Sequence, residues 1–213
     1  MVAAQPTLVA VSKMKPSEAV KEAYDLGHRH FGENYVQELV KKSKELPKDI
    51  KWHFIGHLQS NKARHVVGIE NLHMLETLDS VKLANIVNRI SGEMDKKLKV
   101  LVQVNTSGES QKYGVSPADC VAMVKHVIEN CQNLIFSGLM TIGDYSAIPK
   151  PDCFERLNAC KTKVEKELGV DMSKKEMSMG MSADFELAIK LGSTSVRVGS
   201  ALFGARDYSK KKK

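Results

Sequence analysis

Leu8-Val9-Ala10-Val11-Ser12-Lys13 decides how this chain is read. The run is short, apolar up to Ser12, and fit for a buried strand, and a lysine closes it. Met14-Lys15-Pro16 follows, and then a segment with helical spacing. In that segment Ala19, Val20, Ala23 and Tyr24 share one face, Pro16 suits a first helical position, and Gly27 suits the stop. A lysine at the carboxyl end of a first strand stands where a parallel barrel gathers its chemistry.

The same strand-then-helix unit recurs to the far end of the chain. The predicted strands are Leu8–Ser12, His30–Gly32, Trp52–Gly56, Leu72–Glu76, Val100–Asn105, Ile135–Met140, Glu176–Met179 and Thr194–Val198. Parallel neighbours need crossover connections, and eight such units predict closure into a single (β/α)8 TIM-type barrel of the α/β class. Leu83, Ile86, Val87 and Ile90 follow Asp79 or Ser80 as a cap, and Ser116-Pro117-Ala118-Asp119 opens another helix. Leu157, Val164 and Leu168 follow Asp152, with Gly169 as the stop. One barrel domain is expected over residues 1–209, with a basic, disordered tail at 210–213.

Composition narrows the function classes. A chain of 213 residues, 42% hydrophobic and 27% charged, is long and apolar enough for one ordinary globular core. No apolar stretch approaches the roughly 20 residues that span a bilayer, and Met1–Thr7 lacks the regions of a signal peptide. No membrane partner and a cytoplasmic location are expected, with mitochondrial association left open. Cys120, Cys131, Cys153 and Cys160 have no CxxC spacing and read as free thiols. The net charge of +7 raises nucleic-acid binding, but Lys210–Lys213 supply four of those charges and the rest alternate with acids. With no basic stripe interleaved with aromatics, no nucleic-acid partner is expected. No helix face reads as a large apolar patch, so a monomer is expected.

In a barrel the functional groups belong at the carboxyl ends of the strands. Those ends offer Lys13, then Glu33 and Asn34, His57, Glu76 and Thr77, Asn105 and Thr106, Met140 and Thr141, Ser178 to Ser182, and finally Arg197, Gly199 and Ser200. Alternation groups Lys13 with Val9 and Val11 on the buried side. Desolvation there lowers an amine's pKa and makes it nucleophilic toward an aldehyde, unless the chain snorkels into water. In Val196-Arg197-Val198-Gly199-Ser200, Gly199 lets the backbone approach an anion, and Arg197 can pair with phosphate or aim a donor at a ring nitrogen. The plainer alternative is a glycine turn beside a surface arginine. Ser182 suits the N-cap of the helix containing Phe185, Ala188 and Ile189, and a phosphate contact is compatible with that, since both face the helix N-terminus. Asn34 is placed to bond a ring substituent and His57 to line the pocket. As zinc ligands His53 and His57 lack a nearby cysteine or a helical HExxH, so no metal is expected. An amine and a phosphate seat brought together by closure suggest pyridoxal phosphate held as a Schiff base.

Together these stretches resemble the pyridoxal phosphate homeostasis protein family, relatives of the alanine racemase barrel domain. The resemblance lies in Leu8–Lys13, Phe31-Gly32-Glu33-Asn34-Tyr35-Val36-Gln37-Glu38, Trp52-His53-Phe54-Ile55-Gly56-His57-Leu58-Gln59, Val104–Glu109, Gly138–Ile142, Ser178–Asp184 and Arg197–Ser200. It implies an alanine-racemase-like barrel with pyridoxal 5′-phosphate covalently held on Lys13. Ser182, Gly199 and Ser200 would hold the phosphate, with Ser178 and Met179 lining that side. Arg197 matches the residue that faces the pyridine nitrogen in the racemases, with a phosphate contact as the alternative. Members usually carry an extra N-terminal helix, and this chain starts only seven residues ahead of its first strand. The implied role is a carrier that buffers the cofactor or delivers it to apoenzymes without robust catalysis. Weak amino-acid racemase activity is the alternative; the racemases take a second base from a separate β-domain, for which no room is expected here.

Overall fold

The computed structural model describes residues 5–143 and 150–204. Eight strands close in chain order into one barrel: β1 (Thr7–Val11), β2 (His30–Glu33), β3 (Lys51–Phe54), β4 (Leu72–Leu78), β5 (Leu98–Gln103), β6 (Leu134–Met140), β7 (Glu176–Met181) and β8 (Ser195–Val198). Neighbours are parallel throughout, and β8 returns to β1 with Thr7 opposite Ser195 and Ala10 opposite Val198. Every predicted strand is present within two residues of its expected bounds. The first element among the described residues is β1, and the tail expected at 210–213 lies outside them.

The helices are α1 (Ser17–Asp25), α2 (Val36–Glu45), α3 (Ala63–Val67), α4 (Val81–Glu93), α5 (Cys120–Asn130), α6 (Asp152–Leu168), α7 (Phe185–Lys190) and α8 (Ser200–Phe203). Their ends follow local chemistry. Ser80 Oγ accepts the Leu83 N–H ahead of α4, and Gly169 ends α6 in the left-handed region at φ +65°. Pro16 stands one position earlier than expected, just outside α1.

Strand alternation sorts the side chains into two layers. Ala10, Phe31, Trp52, Phe54, Leu75, Val100, Val102, Leu139, Met177 and Met179 join the large core between barrel and helices. Trp52, Phe31 and Phe54 are fully buried there, each contributing on the order of 2–3 kcal/mol of burial. A smaller cluster of Met74, Leu101 and Met140, capped by Ile142, fills part of the interior. Much of the remaining interior is polar, including His53, Glu76, Ser178 and Arg197, all buried. The four cysteines are buried and free. Among the described residues no helix is long and apolar enough to cross a membrane.

Candidate functional site

A cavity of about 220 Å³ opens at the carboxyl ends of the strands. Seven of the ten predicted site residues line it: Lys13, Asn34, Met140, Ser182, Arg197, Gly199 and Ser200. Val11, Ile55, Ile142 and Met181 supply its apolar wall. Its volume lies below the range of drug-sized sites and suits one small ring compound.

Lys13 is half-buried, and α2 fixes the backbone on both sides of it. Lys42 Nζ donates to the Ser12 carbonyl at 2.8 Å, and the Met14 N–H donates to Glu38 Oε2 at 2.8 Å. Lys42 also pairs with Glu33 at 2.6 Å and Glu38 at 3.1 Å, and Ser12 Oγ donates to Glu33 Oε1 at 2.7 Å. Met14 itself holds a left-handed φ of +60°, an uncommon conformation for a side-chain-bearing residue, which turns the chain directly after the lysine. Glu33, expected on the rim, is instead turned toward α2. It alternates with the inward Gly32, so its carboxylate falls in the helix layer.

Asn34 follows β2, and its position depends on Gly56. A Cβ on Gly56 would lie 2.0 Å from the Asn34 carbonyl oxygen, so only glycine lets the two loops cross. Asn34 Oδ1 is buried with no hydrogen-bond partner. An unpaired buried acceptor costs about 1–3 kcal/mol, which a ligand donor in the cavity would remove.

Arg197 forms the floor, almost fully buried. Its guanidinium donates to Ser178 Oγ at 2.6 Å and to the Thr141 carbonyl at 2.7 Å. Ser178 Oγ donates in turn to Glu76 Oε2 at 2.6 Å. Burial opposes charge on Glu76, but the hydrogen bond from His53, the Arg197 charge and the hydrogen bond from Ser178 outweigh it. The carboxyl is therefore held below the usual carboxylate range. The arginine is charge-balanced from beneath and held in one orientation.

Ser182 corrects an expectation. It does not cap α7, which starts at Phe185; Asp184 closes that turn by accepting the Met181 N–H at 2.5 Å. Ser182 Oγ instead accepts from the N–H groups of Gly199 at 3.1 Å and Ala201 at 3.5 Å. Those donors open α8 and are the kind an anion oxygen takes. Gly199 is also constrained by packing, since a Cβ there would come within 3.2 Å of the Val11 carbonyl oxygen.

Three predicted residues do not line the cavity. Ser178 lies beneath Arg197 and acts through it. Met179, one residue on, points into the helix-layer core, as alternation along β7 requires. His57 is exposed, stacked on Tyr113 with ring centroids 3.6 Å apart, and 3.0 Å from Asp79. His53 lies inside the barrel against Glu76, so His53 and His57 are not a ligand pair. Glu38 and Lys42 position the site without standing among the strand ends the sequence marks, and Glu76, marked as a strand end, acts from beneath Arg197 through Ser178. Alternation with Met74 marked Glu76 as inward, whereas Lys42 gave no signal beyond its i, i+4 spacing from Glu38.

Comparison with known proteins agrees with this architecture. Residues 1–207 match the family model of the alanine racemase N-terminal domain. The pyridoxal phosphate homeostasis protein of Homo sapiens is 51% identical over 221 residues, covering 98% of this chain and 80% of that protein. The protein of the same name from Schizosaccharomyces pombe is 46% identical over 207 residues, covering 95% and 85%. The solved structure of PipY from Synechococcus elongatus with PLP bound superposes with a TM-score of 0.81 at 36% identity, covering 96% of this chain and 95% of that one. A closed parallel barrel, matched along almost its whole length by these relatives, places the chain in the pyridoxal phosphate homeostasis protein family, built on the alanine racemase N-terminal domain fold.

Proposed function

We propose that this protein holds pyridoxal 5′-phosphate covalently on Lys13 and buffers or delivers it, without robust catalysis. One observation carries the reading: a single cavity is lined by Lys13, by Asn34 with its unpartnered Oδ1, and by Ser182, Gly199 and Ser200 at the opening of α8. These residues fit the group. An amine stands at one side, a phosphate seat at another, and an unsatisfied acceptor lies between apolar walls. When bound, the cofactor supplies an aldehyde carbon that condenses with a primary amine with loss of water.

The remaining work falls to the chain. Ser182 Oγ and the N–H groups of Gly199, Ser200 and Ala201 receive the phosphate. Val11, Ile55 and Met140 exclude water from the ring faces. Arg197 remains protonated and acts as a donor only. Its bonds to Ser178 and Thr141 fix the guanidinium inside the barrel at the cavity, where it can meet either the ring or the phosphate.

The non-catalytic part of the reading is supported by the lining itself. Among the described residues lining the cavity, Lys13 and Arg197 are the only titratable side chains. A two-base proton exchange needs a second group able to gain and lose a proton, and arginine does not serve. The test is to incubate the loaded protein with a pyridoxal-phosphate apoenzyme and, separately, with amino acids in deuterated water. Cofactor transfer, with Cα exchange no faster than in Lys13→Ala, is expected. Exchange well above that control would make the protein an enzyme.

A further inference from the structure

We propose that the opposite, amino-terminal mouth of the barrel binds a divalent zinc-class cation through His30, His53 and His73. These residues come from three adjacent strands, β2, β3 and β4. One ring nitrogen of each lies within 4.8 Å of the others. His30 Nδ1 and His53 Nε2 are already 2.9 Å apart, and the three ring centroids are separated by 5.2–5.3 Å. Zinc–nitrogen bonds of roughly 2.0–2.1 Å put two tetrahedral ligands about 3.4 Å apart, so closure needs ring shifts of about an ångström.

The backbone is shaped for this convergence. Trp52 pairs with Leu72, but His53 pairs with Met74, so β4 carries one extra residue at that step, His73. Such a bulge re-aims a side chain and is concentrated at functional sites. Here it sends the His73 ring into the interior beside His30 and His53, where strict alternation with Met74 would have turned it toward the helices.

The surroundings match a metal ligand set. His53 Nδ1 lies 2.6 Å from Glu76 Oε1, which leaves Nε2 for the cation. A carboxylate orienting a ligating imidazole in this way is the usual second layer of a zinc site. His30 and His73 are half-buried, so solvent reaches the fourth position. Three imidazoles select zinc and its first-row neighbours over magnesium and calcium, which take oxygen ligands. Lys51 and Lys99 flank the mouth but are exposed and screened. Glu76 and Glu176, the latter with a buried, unpartnered Oε2, provide the opposing charge. The cofactor reading plays no part here, and either proposal can fail alone.

The test uses the tag-free full chain without cofactor, titrated with Co²⁺ and then back-titrated with Zn²⁺. One Co²⁺ per chain is expected, with the strong visible bands of four-coordinate cobalt and no thiolate charge-transfer band, and one equivalent of Zn²⁺ should displace it. His30→Asn and His73→Gln should each weaken binding at least tenfold while leaving the circular dichroism spectrum unchanged. Absence of a bound ion, a thiolate band, or undiminished binding in a double variant carrying both changes would overturn the site. Should the double variant fail to fold, the wild-type cobalt spectrum decides between imidazole ligands and none.

Discussion

Lys42 donates to the carbonyl of Ser12 at 2.8 Å, so a buried ammonium on α2 fixes the backbone one residue before Lys13. The same ammonium is 2.6 Å from Glu33, and both side chains are almost wholly buried. Removing one member of such a pair strands the other charge. Lys42→Met should therefore cost about 3–5 kcal/mol in urea unfolding, and Glu33→Gln added to it should return part of that loss. The exposed Lys21–Asp25 pair is the contrast: Lys21→Ala should cost under about 0.5 kcal/mol. Equal effects would mean that the buried pair is not what holds this corner.

Arg197 and Glu76 are coupled through Ser178. In a double-mutant cycle, Arg197→Met and Glu76→Gln should show an interaction energy of about 1–3 kcal/mol, since each single change strands a buried partner. Additive losses would show that the chain of hydrogen bonds transmits nothing between them.

Ser182→Ala removes the acceptor for two backbone N–H groups and, on the proposed reading, one hydroxyl contact to the phosphate. Hydrogen bonds to charged groups contribute about 1.5–3 kcal/mol, so affinity for pyridoxal phosphate should fall roughly ten- to hundredfold. Affinity for pyridoxal, which has no phosphate, should change little. Equal losses for both compounds would place the phosphate elsewhere.

Asp184 supplies the pH prediction. Burial raises its pKa above 3.8, against the hydrogen bond from Met181 and the Arg197 charge. The folded chain thus keeps this proton to higher pH than the unfolded chain. The group's contribution is complete below 3.8 and is lost as pH rises through the folded value. Asp184→Asn keeps an acceptor for the Met181 N–H and removes the charge. Its stability relative to wild type should rise as pH climbs from about 4 toward neutrality, as read from thermal melts across that range. A constant difference with pH would contradict the assignment.

Much of this molecule was legible in its sequence because barrel units advertise themselves locally. Each strand is a short apolar run, and Ser80, Gly27 and Gly169 mark helix ends by residue type alone. Seven rim residues could be assigned to the cavity because parallel closure brings all carboxyl strand ends together. The misreadings came from two sources. Met179 and Glu33 fall on the helix side by the same alternation that groups Lys13 with Val9 and Val11. The capping role read for Ser182 looks only to the nearest helix in sequence, whereas its partners, Gly199 and Ala201, come from the next unit of the barrel. The clustering of His30, His53 and His73 depends on a one-residue slip in β4 that no local pattern reports. The support of Lys13 by Lys42 likewise depends on how α2 packs, which spacing alone does not reveal.

The central claim is that Lys13 anchors the cofactor. The most direct measurement is borohydride reduction of the full chain loaded with pyridoxal phosphate, followed by peptide mapping. A single stable pyridoxyl adduct on Lys13, absent from Lys13→Ala, is the predicted result. No adduct, or label spread over surface lysines and unchanged in Lys13→Ala, would contradict it.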